Sequence, residues 1–202
     1  MCSSDLKYMK NALILHGTGC NPNSFWHPSI KKFLENKGYE VKVPKLPDTD
    51  TPDLKKWLPV ALDFDFNEET ILIGHSAGTP LMLSVLENIN ITIHKAIFVA
   101  SYSRMKEEDD NLLILQEKYN WKKIKGNAKD IIFINSSDDP WGCDTEEGLD
   151  LFKHLGGTLI IREGEGHMGS DRFNQPYTKF PLLEKLLEVK YSRNSIDSSD
   201  KS

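Results

Sequence analysis

The stretch ETILIGHSAG at residues 69–78, followed directly by TPLMLSVL at residues 79–86, decides the fold of this chain. A short apolar run ends at Gly74, and residues with helical spacing begin a few positions later. A strand must therefore become a helix within five residues. Because Gly74 and Gly78 lack a Cβ, the two elements can approach closely on either side of Ser76. We predict a tight strand–turn–helix unit that holds the serine hydroxyl clear of the sheet, near the positive end of the helix dipole.

This pattern also predicts a chemical role for the serine. Gly-x-Ser-x-Gly between a strand and a helix is typical of the nucleophile elbow of α/β-hydrolases. The pentapeptide alone also fits a glycine-rich turn with an inactive serine. The elbow hypothesis therefore requires a carboxylate and then a histidine later in the chain, each at the end of a strand.

The composition is that of an ordinary globular protein. The chain has 202 residues, of which 39% are hydrophobic and 27% are charged, which fits one domain with a sizeable core. Its net charge of -5 disfavours nucleic acid and anionic membranes as partners. No apolar run approaches the ~20 residues that cross a bilayer. Because the first residues do not resemble a signal peptide, we expect a cytoplasmic protein.

The cysteines and histidines do not predict a metal site. Cys2, Cys20 and Cys143 form no Cys-x-x-Cys motif, and we expect them to be reduced thiols. The six histidines show neither His-x-His nor His-Glu-x-x-His spacing, so we expect no metal and no other cofactor. Cys20 and Cys143 fall in loops near the expected site, but no base lies at a matching spacing. We therefore expect structural roles for both.

Apolar runs and segments with helical spacing alternate along the chain. This alternation predicts an α/β fold, with a mostly parallel sheet and helices on both faces. In such sheets the ligand site lies outside the carboxyl ends of the strands. Predicted strands lie at residues 11–15, 39–43, 95–100, 130–135, 157–161 and in the run before Gly74. Predicted helices lie at 28–37, from 51 or 52 with a kink or early end at Pro59, after Gly78, in part of 104–126, at 144–155 and at 176–189.

The domain organisation is simple. We predict one folded domain at residues 11–189, with a short N-terminal extension at residues 1–10. Residues 190–202 are polar and of low complexity, which predicts a disordered tail.

The required carboxylate and histidine follow the serine in the expected order. Asp138 and Asp139 come after one predicted strand, and His167 comes after the next. The histidine would accept the proton of Ser76 and return it to the leaving group, and the acid would orient the ring. Spacing alone leaves both aspartates open as the acid, and simple turn formation remains an alternative for them.

Two further sets of residues are expected around the serine. His16 and His75 could also act as bases. Neither follows the serine and the acid in the chain, so we expect both to shape loops by hydrogen bonding. Backbone N–H groups of Ala77 and Thr18 are expected to bind the oxyanion. Core packing is the alternative for the aromatic residues and the methionine among the possible pocket residues, which are His16, Gly17, Trp26, His75, Tyr102, Trp141 and Met168.

Several motifs together resemble a known family. In a chain this short they are similar to the small serine hydrolases related to retinoblastoma-binding protein nine. The resemblance covers most of residues 11–187. Its motifs are GHSAG at 74–78, SDDP at 137–140, GH at 166–167, WLP at 57–59 and VASY at 99–102.

The resemblance implies both a fold and a set of site residues. It implies a compact α/β-hydrolase fold with a minimal or absent cap domain. By the family pattern Ser76 is the nucleophile, His167 is the base, and the second aspartate, Asp139, is the acid. That choice makes Asp138 the alternative.

The chain also departs from the family. The stretch PWGCD at residues 140–144 and the loop HGTGC at residues 16–20 are its own. Both are expected to line the pocket, so the substrate preference of the family is not carried over. The chain has no Leu-x-Cys-x-Glu motif, and we do not expect it to bind retinoblastoma protein.

These observations predict a serine hydrolase of the carboxylesterase type that works through an acyl-enzyme. Short connections predict an open, shallow site for a small-molecule acyl substrate, such as a short ester or small amide. An acyltransferase or thioesterase on the same triad is one alternative. A binding protein that keeps the hydrolase fold without catalysis is another. The sequence predicts neither the natural substrate nor the oligomeric state.

Overall fold

The computed structural model describes residues 9–104 and 113–189. The predicted tail at 190–202 lies outside the described residues, as does all but the last two residues of the predicted N-terminal extension. Within these limits no helix is both long and apolar enough to cross a bilayer.

Six strands and six helices alternate in the described part of the chain. The strands are β1 (Asn11–Leu15), β2 (Glu40–Lys42), β3 (Ile71–His75), β4 (Ile93–Val99), β5 (Ala128–Ser136) and β6 (Thr158–Arg162). The helices are α1 (His27–Asn36), α2 (Leu54–Leu62), α3 (Gly78–Asn88), α4 (Trp121–Gly126), α5 (Thr145–Leu155) and α6 (Pro181–Glu188).

The strands form one parallel sheet in the order β2-β1-β3-β4-β5-β6. Side chains alternate between its faces, as the period of a strand requires. In β1, Leu13 and Leu15 belong to the core on the face covered by α2, α3, α4 and α5, whereas Ala12 and Ile14 belong to the core on the face covered by α1 and α6. The prediction of a parallel sheet covered on both faces is therefore confirmed.

Strand boundaries differ from the predictions by up to two residues, and three predicted helical segments differ in their start or extent. Helix α6 begins at Pro181 and not at residue 176, because Tyr177 has a left-handed φ of 36° and Phe180, the residue before the proline, has an extended φ of -135°. Helix α2 begins at Leu54, where the Asp53 side chain caps it by accepting a hydrogen bond from the Lys55 N–H. The region 104–126 was predicted to be helical in part. Its residues 105–112 lie outside the described residues, and α4 forms at the end of the region.

The turn between β3 and α3 is packed at backbone distance. A Cβ placed on Gly74 would lie 2.7 Å from the Gly78 carbonyl oxygen. A Cβ placed on Gly78 would lie 2.9 Å from the Leu15 carbonyl carbon and closer still to its oxygen. Real Cβ atoms do not occur at such distances from backbone atoms. Both glycines are therefore needed to bring β1, β3 and α3 together.

Replacement of Gly78 by alanine should therefore be strongly destabilising. We expect Gly78→Ala to lower the free energy of unfolding by about 3 kcal/mol or more, because backbone must move to admit the methyl group. Gly126→Ala is the matched control, since a Cβ there meets nothing within 4 Å. We expect that variant to gain up to about 1 kcal/mol. Urea denaturation followed by circular dichroism measures both, and equal stabilities would contradict the packing argument.

A neutral histidine lies in the core at the start of α1. His27 is fully buried, and neither of its ring nitrogens has a hydrogen-bond partner among the described residues. Its ring packs against Trp26 at a centroid distance of 4.5 Å and against His75 at 6.0 Å. Burial, and secondly the charge of His16, lowers the pKa of His27 from 6.5 to about 3. The ring is therefore uncharged at neutral pH.

This buried ring should make stability depend on pH. Between its ordinary pKa of 6.5 and its folded value of about 3, only the unfolded chain binds a proton at His27. Acidification through this window should lower the free energy of unfolding, by up to about 1.4 kcal/mol per pH unit for this site. In His27→Phe, which keeps a ring and removes the proton site, we expect a shallower fall in urea denaturation at several pH values. Identical slopes in the two proteins would contradict a neutral His27.

Candidate active site

The polar loops converge where the strand order changes direction. From β1 the chain goes out to β2 on one side, and from β3 it proceeds through β4 and β5 to β6 on the other. Ligand sites of parallel sheets lie at this switch point, outside the carboxyl ends of the strands. The loops after β1, β3, β4, β5 and β6 all contribute residues to one cavity there.

Ser76 occupies the tip of the turn between β3 and α3. Its φ of 53° lies in the left-handed region, which costs a non-glycine residue about 1–3 kcal/mol. The conformation is held by a hydrogen bond from the Ser76 N–H to the Val99 carbonyl at 3.0 Å and by the close contact with Gly17 behind the side chain. The side chain is half-buried and lines the cavity. Strain of this kind is typical of a residue whose position is functional.

Asp139 and His167 form a buried pair at the ends of β5 and β6. The His167 Nδ1 lies 2.8 Å from Oδ2 and 3.0 Å from Oδ1 of Asp139. The Trp141 N–H also donates to Asp139 Oδ1, at 2.8 Å. The carboxylate is fully buried in this arrangement, and the histidine ring is nearly so. Since Nδ1 donates to the carboxylate, Nε2 is the nitrogen that has its lone pair available.

His167 and Ser76 line the same cavity. Among hydrogen bonds between described residues, none joins the Ser76 hydroxyl to the His167 ring. Such bonds are often long in substrate-free enzymes and tighten when a substrate is bound. The structure thus brings the three predicted residues to one place and pairs two of them directly.

Asp138 faces away from the His167 ring and holds the loop that carries it. Its Oδ1 accepts hydrogen bonds from the Ser136 hydroxyl at 2.5 Å, from the Gly164 N–H at 3.1 Å and from the Gly166 N–H at 3.3 Å. The Ser136 hydrogen bond is the main cause that lowers the pKa of Asp138. The two neighbouring aspartates therefore serve different partners.

The backbone of His167 is fixed on both sides. Its N–H donates to Gln175 Oε1 at 2.9 Å, and its carbonyl oxygen lies 2.9 Å from His75 Nε2. Burial, followed by the charge of His167, holds the pKa of His75 well below 6.5. The neutral His75 ring donates its Nε2 proton to that carbonyl. His75, which directly precedes Ser76, therefore fixes the position of His167.

His16 shapes the loop after β1 from a fully buried position. Its Nε2 accepts a hydrogen bond from the Leu46 N–H at 3.3 Å, so Nδ1 carries the proton and faces the Gly17 carbonyl at 3.2 Å. Burial lowers the pKa of His16, which keeps the ring neutral. The His16 ring thereby fixes the backbone of Gly17, which directly precedes Thr18.

Two backbone donors stand near the serine. Ala77, at the N-cap of α3, has a buried N–H, and Thr18 lines the cavity. Neither N–H donates to another group within residues 9–104 and 113–189. The orphan N–H groups at the start of a helix are a favourable environment for an anion. The arrangement thus offers donors for negative charge beside Ser76.

The cavity has a volume of about 490 Å³, within the usual range for small-molecule sites. Of the possible pocket residues, His75, Tyr102 and Trp141 line it. The others do not. His16, Trp26 and Met168 are fully buried, and the Trp26 Nε1 donates to the Met168 carbonyl at 3.0 Å in the core beneath the site. Gly17 lies behind Ser76 because its missing side chain admits the serine, and it is not among the lining residues.

Several lining residues were not predicted. Arg104 forms an ion pair with Glu147 at 3.1 Å, and the Arg172 guanidinium lies 5.0 Å from the Trp141 ring centroid. Their position in the sequence could have indicated them, because Arg104 follows β4 and Arg172 follows β6 at the carboxyl edge of the sheet. The other unpredicted lining residues are Phe25, Gly169, Ser170 and Asp171, whereas Gly19 and Gly142 belong to the two stretches that were expected to line the pocket.

Both described cysteines also line the cavity. Neither Cys20 nor Cys143 is in a disulfide within the described part of the chain. Burial is the main cause that raises the pKa of Cys20 to about 11. Its thiol is protonated at neutral pH and is a poor nucleophile.

Known proteins are similar to this chain in sequence over most of its length. Residues 12–188 match the serine hydrolase family. Serine hydrolase RBBP9 of Rattus norvegicus is 27% identical over 154 residues, which cover 74% of this chain and 81% of that protein. The YdeN protein of Bacillus subtilis is 25% identical over 197 residues, which cover 92% of this chain and 98% of that protein.

Solved structures share the fold. The crystal structure of the ydeN gene product superposes with a TM-score of 0.79, covering 88% of this chain and 96% of that one. Alpha/beta hydrolase domain-containing protein 10 from mouse gives a TM-score of 0.61 at 13% identity, covering 88% and 86%, and so is similar in fold alone. The resemblance that the motifs predict is confirmed. This chain has the α/β-hydrolase fold and belongs to the serine hydrolase family.

Proposed function

We propose that this protein cleaves small esters or amides through an acyl-enzyme, with Ser76 as nucleophile, His167 as base and Asp139 as acid. The observation that carries the proposal is the buried Asp139–His167 pair at 2.8 Å, in the same cavity as a strained serine at a strand–helix turn. Membership of the serine hydrolase family supports a hydrolytic reaction.

The chemistry follows from the proton positions. Ser76 Oγ attacks the carbonyl carbon of the substrate while His167 Nε2 takes the hydroxyl proton. The Asp139 carboxylate stabilises the resulting imidazolium through Nδ1. The N–H groups of Ala77 and Thr18 donate to the tetrahedral oxyanion, each worth roughly 3–4 kcal/mol in comparable sites.

The acyl-enzyme forms when the leaving group departs, and water then hydrolyses it. His167 gives its proton to the departing alcohol or amine, which leaves the acyl group on Ser76. Water then loses a proton to His167 as it attacks the acyl carbon, and the serine leaves with that proton. The same acyl-enzyme serves a thioesterase, or an acyltransferase when an alcohol replaces water.

The cavity supports a small substrate. Its volume of about 490 Å³ accommodates a compact acyl group. Phe25, Tyr102 and Trp141 supply apolar surface, and the Arg104–Glu147 ion pair supplies a polar wall. We also place the protein in the cytoplasm, which is consistent with the thiol state of Cys20 and Cys143.

An active-site probe tests the nucleophile. We expect a fluorophosphonate to label the wild-type protein and to leave Ser76→Ala unlabelled, because only Ser76 is activated by His167. Ser29→Ala, which changes a serine of α1 outside the cavity lining, is the matched control and should label normally. Labelling is measured by in-gel fluorescence. An unlabelled wild type would overturn the enzymatic proposal, and labelling that survives in Ser76→Ala would overturn this nucleophile.

A pair of isosteric variants tests the acid. We expect Asp139→Asn to lose about 10³–10⁴-fold in kcat/KM for a short acyl ester, because the amide carries no charge to stabilise the imidazolium and its N–H₂ group favours the wrong tautomer of His167. Asp138→Asn should lose less than about tenfold, since its carboxylate contacts the loop and not the ring. Initial rates with the same ester compare the two. A larger loss in Asp138→Asn would reverse the assignment.

A further inference from the structure

Three side chains with different donor atoms meet beside the serine. One carboxylate oxygen of Asp139, the sulfur of Cys143 and one ring nitrogen of His167 all lie within 4.8 Å of one another. All three residues are buried. Asp139 and Cys143 come from the loop between β5 and α5, and His167 comes from the loop after β6. No spacing motif marks this cluster, because one of its members comes from a separate loop.

We propose that Asp139, Cys143 and His167 form a reversible inhibitory site for a thiophilic divalent cation of the zinc type. The inhibition rests on the proposed function, whereas the binding does not. Sulfur, imidazole nitrogen and carboxylate oxygen are the donors that Zn²⁺ takes in proteins. Magnesium and calcium prefer oxygen ligands alone and are not expected here.

The geometry is close to that of a bound site. At Zn–S and Zn–N or Zn–O bond lengths of about 2.0–2.3 Å, tetrahedral ligand atoms lie about 3.3–3.6 Å apart. The three donors therefore need to move by roughly 1 Å to close on a cation. Three protein ligands leave a fourth position for water or another small ligand. Cys143 and His167 both line the cavity, which gives the cation a path to the cluster.

Cation binding and catalysis compete for the same groups. On binding, the Cys143 thiol loses its proton to solvent and its sulfur coordinates as a thiolate. His167 binds the cation through one ring nitrogen and, as a neutral ring, carries its proton on the other nitrogen, while a carboxylate oxygen of Asp139 turns from the ring to the cation. The ring is then no longer the free, carboxylate-oriented base that takes the Ser76 proton. A chelator that removes the cation restores the pair.

Cys20 provides an internal comparison. Its thiol also lines the cavity, but in the described part of the chain only the cluster at Cys143 brings three metal-binding side chains together. Removal of Cys20 should therefore leave the cation site intact. A comparison of Cys143 and Cys20 variants therefore distinguishes a three-ligand cation site from a single thiol that faces the cavity.

Cobalt absorption tests the binding without any assay of hydrolysis. The full-length protein, stripped with a chelator, is titrated with Co²⁺, and thiolate coordination is read from the near-ultraviolet sulfur-to-cobalt charge-transfer band. We expect the band in the wild type, in Cys20→Ala and in Ser76→Ala. We expect no band in Cys143→Ser, which keeps the side-chain size, or in Cys143→Ala. Near-ultraviolet circular dichroism establishes that at least one Cys143 variant is folded.

Zinc titration tests the inhibition. For each protein, the rate of ester hydrolysis with zinc is divided by its own rate without zinc, so differences in basal activity cancel. We expect the half-inhibitory zinc concentration to rise by at least about 10–100-fold in Cys143→Ser and to stay unchanged in Cys20→Ala. A chelator should restore the wild-type rate.

The two proposals fail in different ways. Absence of the band in the wild type, its survival in a folded Cys143 variant, or its loss in Cys20→Ala overturns the cation site. Unchanged zinc sensitivity in Cys143→Ser overturns the inhibitory role. A wild type that shows the band but neither hydrolyses esters nor reacts with the fluorophosphonate overturns the proposed function and leaves the cation site standing.

Discussion

Direct backbone contact between the start of α3 and the end of β1 is the constraint on which the site depends. Because Gly78 lies against the Leu15 carbonyl, α3 starts immediately after β3, and Ser76 is forced into a left-handed conformation. The same contact brings the loop after β1 beside the serine, with Gly17 behind its side chain. One feature of packing therefore positions both the proposed nucleophile and the loop that carries Thr18, the proposed second oxyanion donor.

The Asp139–His167 pair depends on a second constraint, the register of β5 and β6. Ser136 pairs with Arg162, and the Ser137 N–H donates to the Arg162 carbonyl at 2.8 Å, so the two loops leave the sheet side by side. Asp138 then holds the backbone of one loop while Asp139 contacts the histidine that the loop carries. The buried neutral His75 holds the same histidine from the third strand. Elements far apart in sequence thus converge on one imidazole.

The sequence predicted the parts of this protein that rest on local patterns. Apolar runs gave the six parallel strands, and the glycines around Ser76 gave the turn. The sequence left open whether Trp26 and Met168 line the pocket or pack in the core, because a loop residue can face either and only tertiary packing decides which. Both are fully buried in the structure. The same limit hid Arg104 and Arg172, whose partners lie in other parts of the chain, Glu147 in α5 and Trp141 in the loop after β5. It also hid the pairing of Ser170 with Gln175.

The adjacency of Asp138 and Asp139 has a consequence for how this loop can vary in length. Asp138 is engaged by the amides of Gly164 and Gly166, and Asp139 by the ring of His167, one position after Gly166. One residue inserted between Ser136 and these aspartates would offer Asp138 to the ring and leave the two amides without their acceptor. One residue deleted would present Pro140, which has no carboxylate. The connection out of β5 therefore tolerates changes of residue type far better than changes of length.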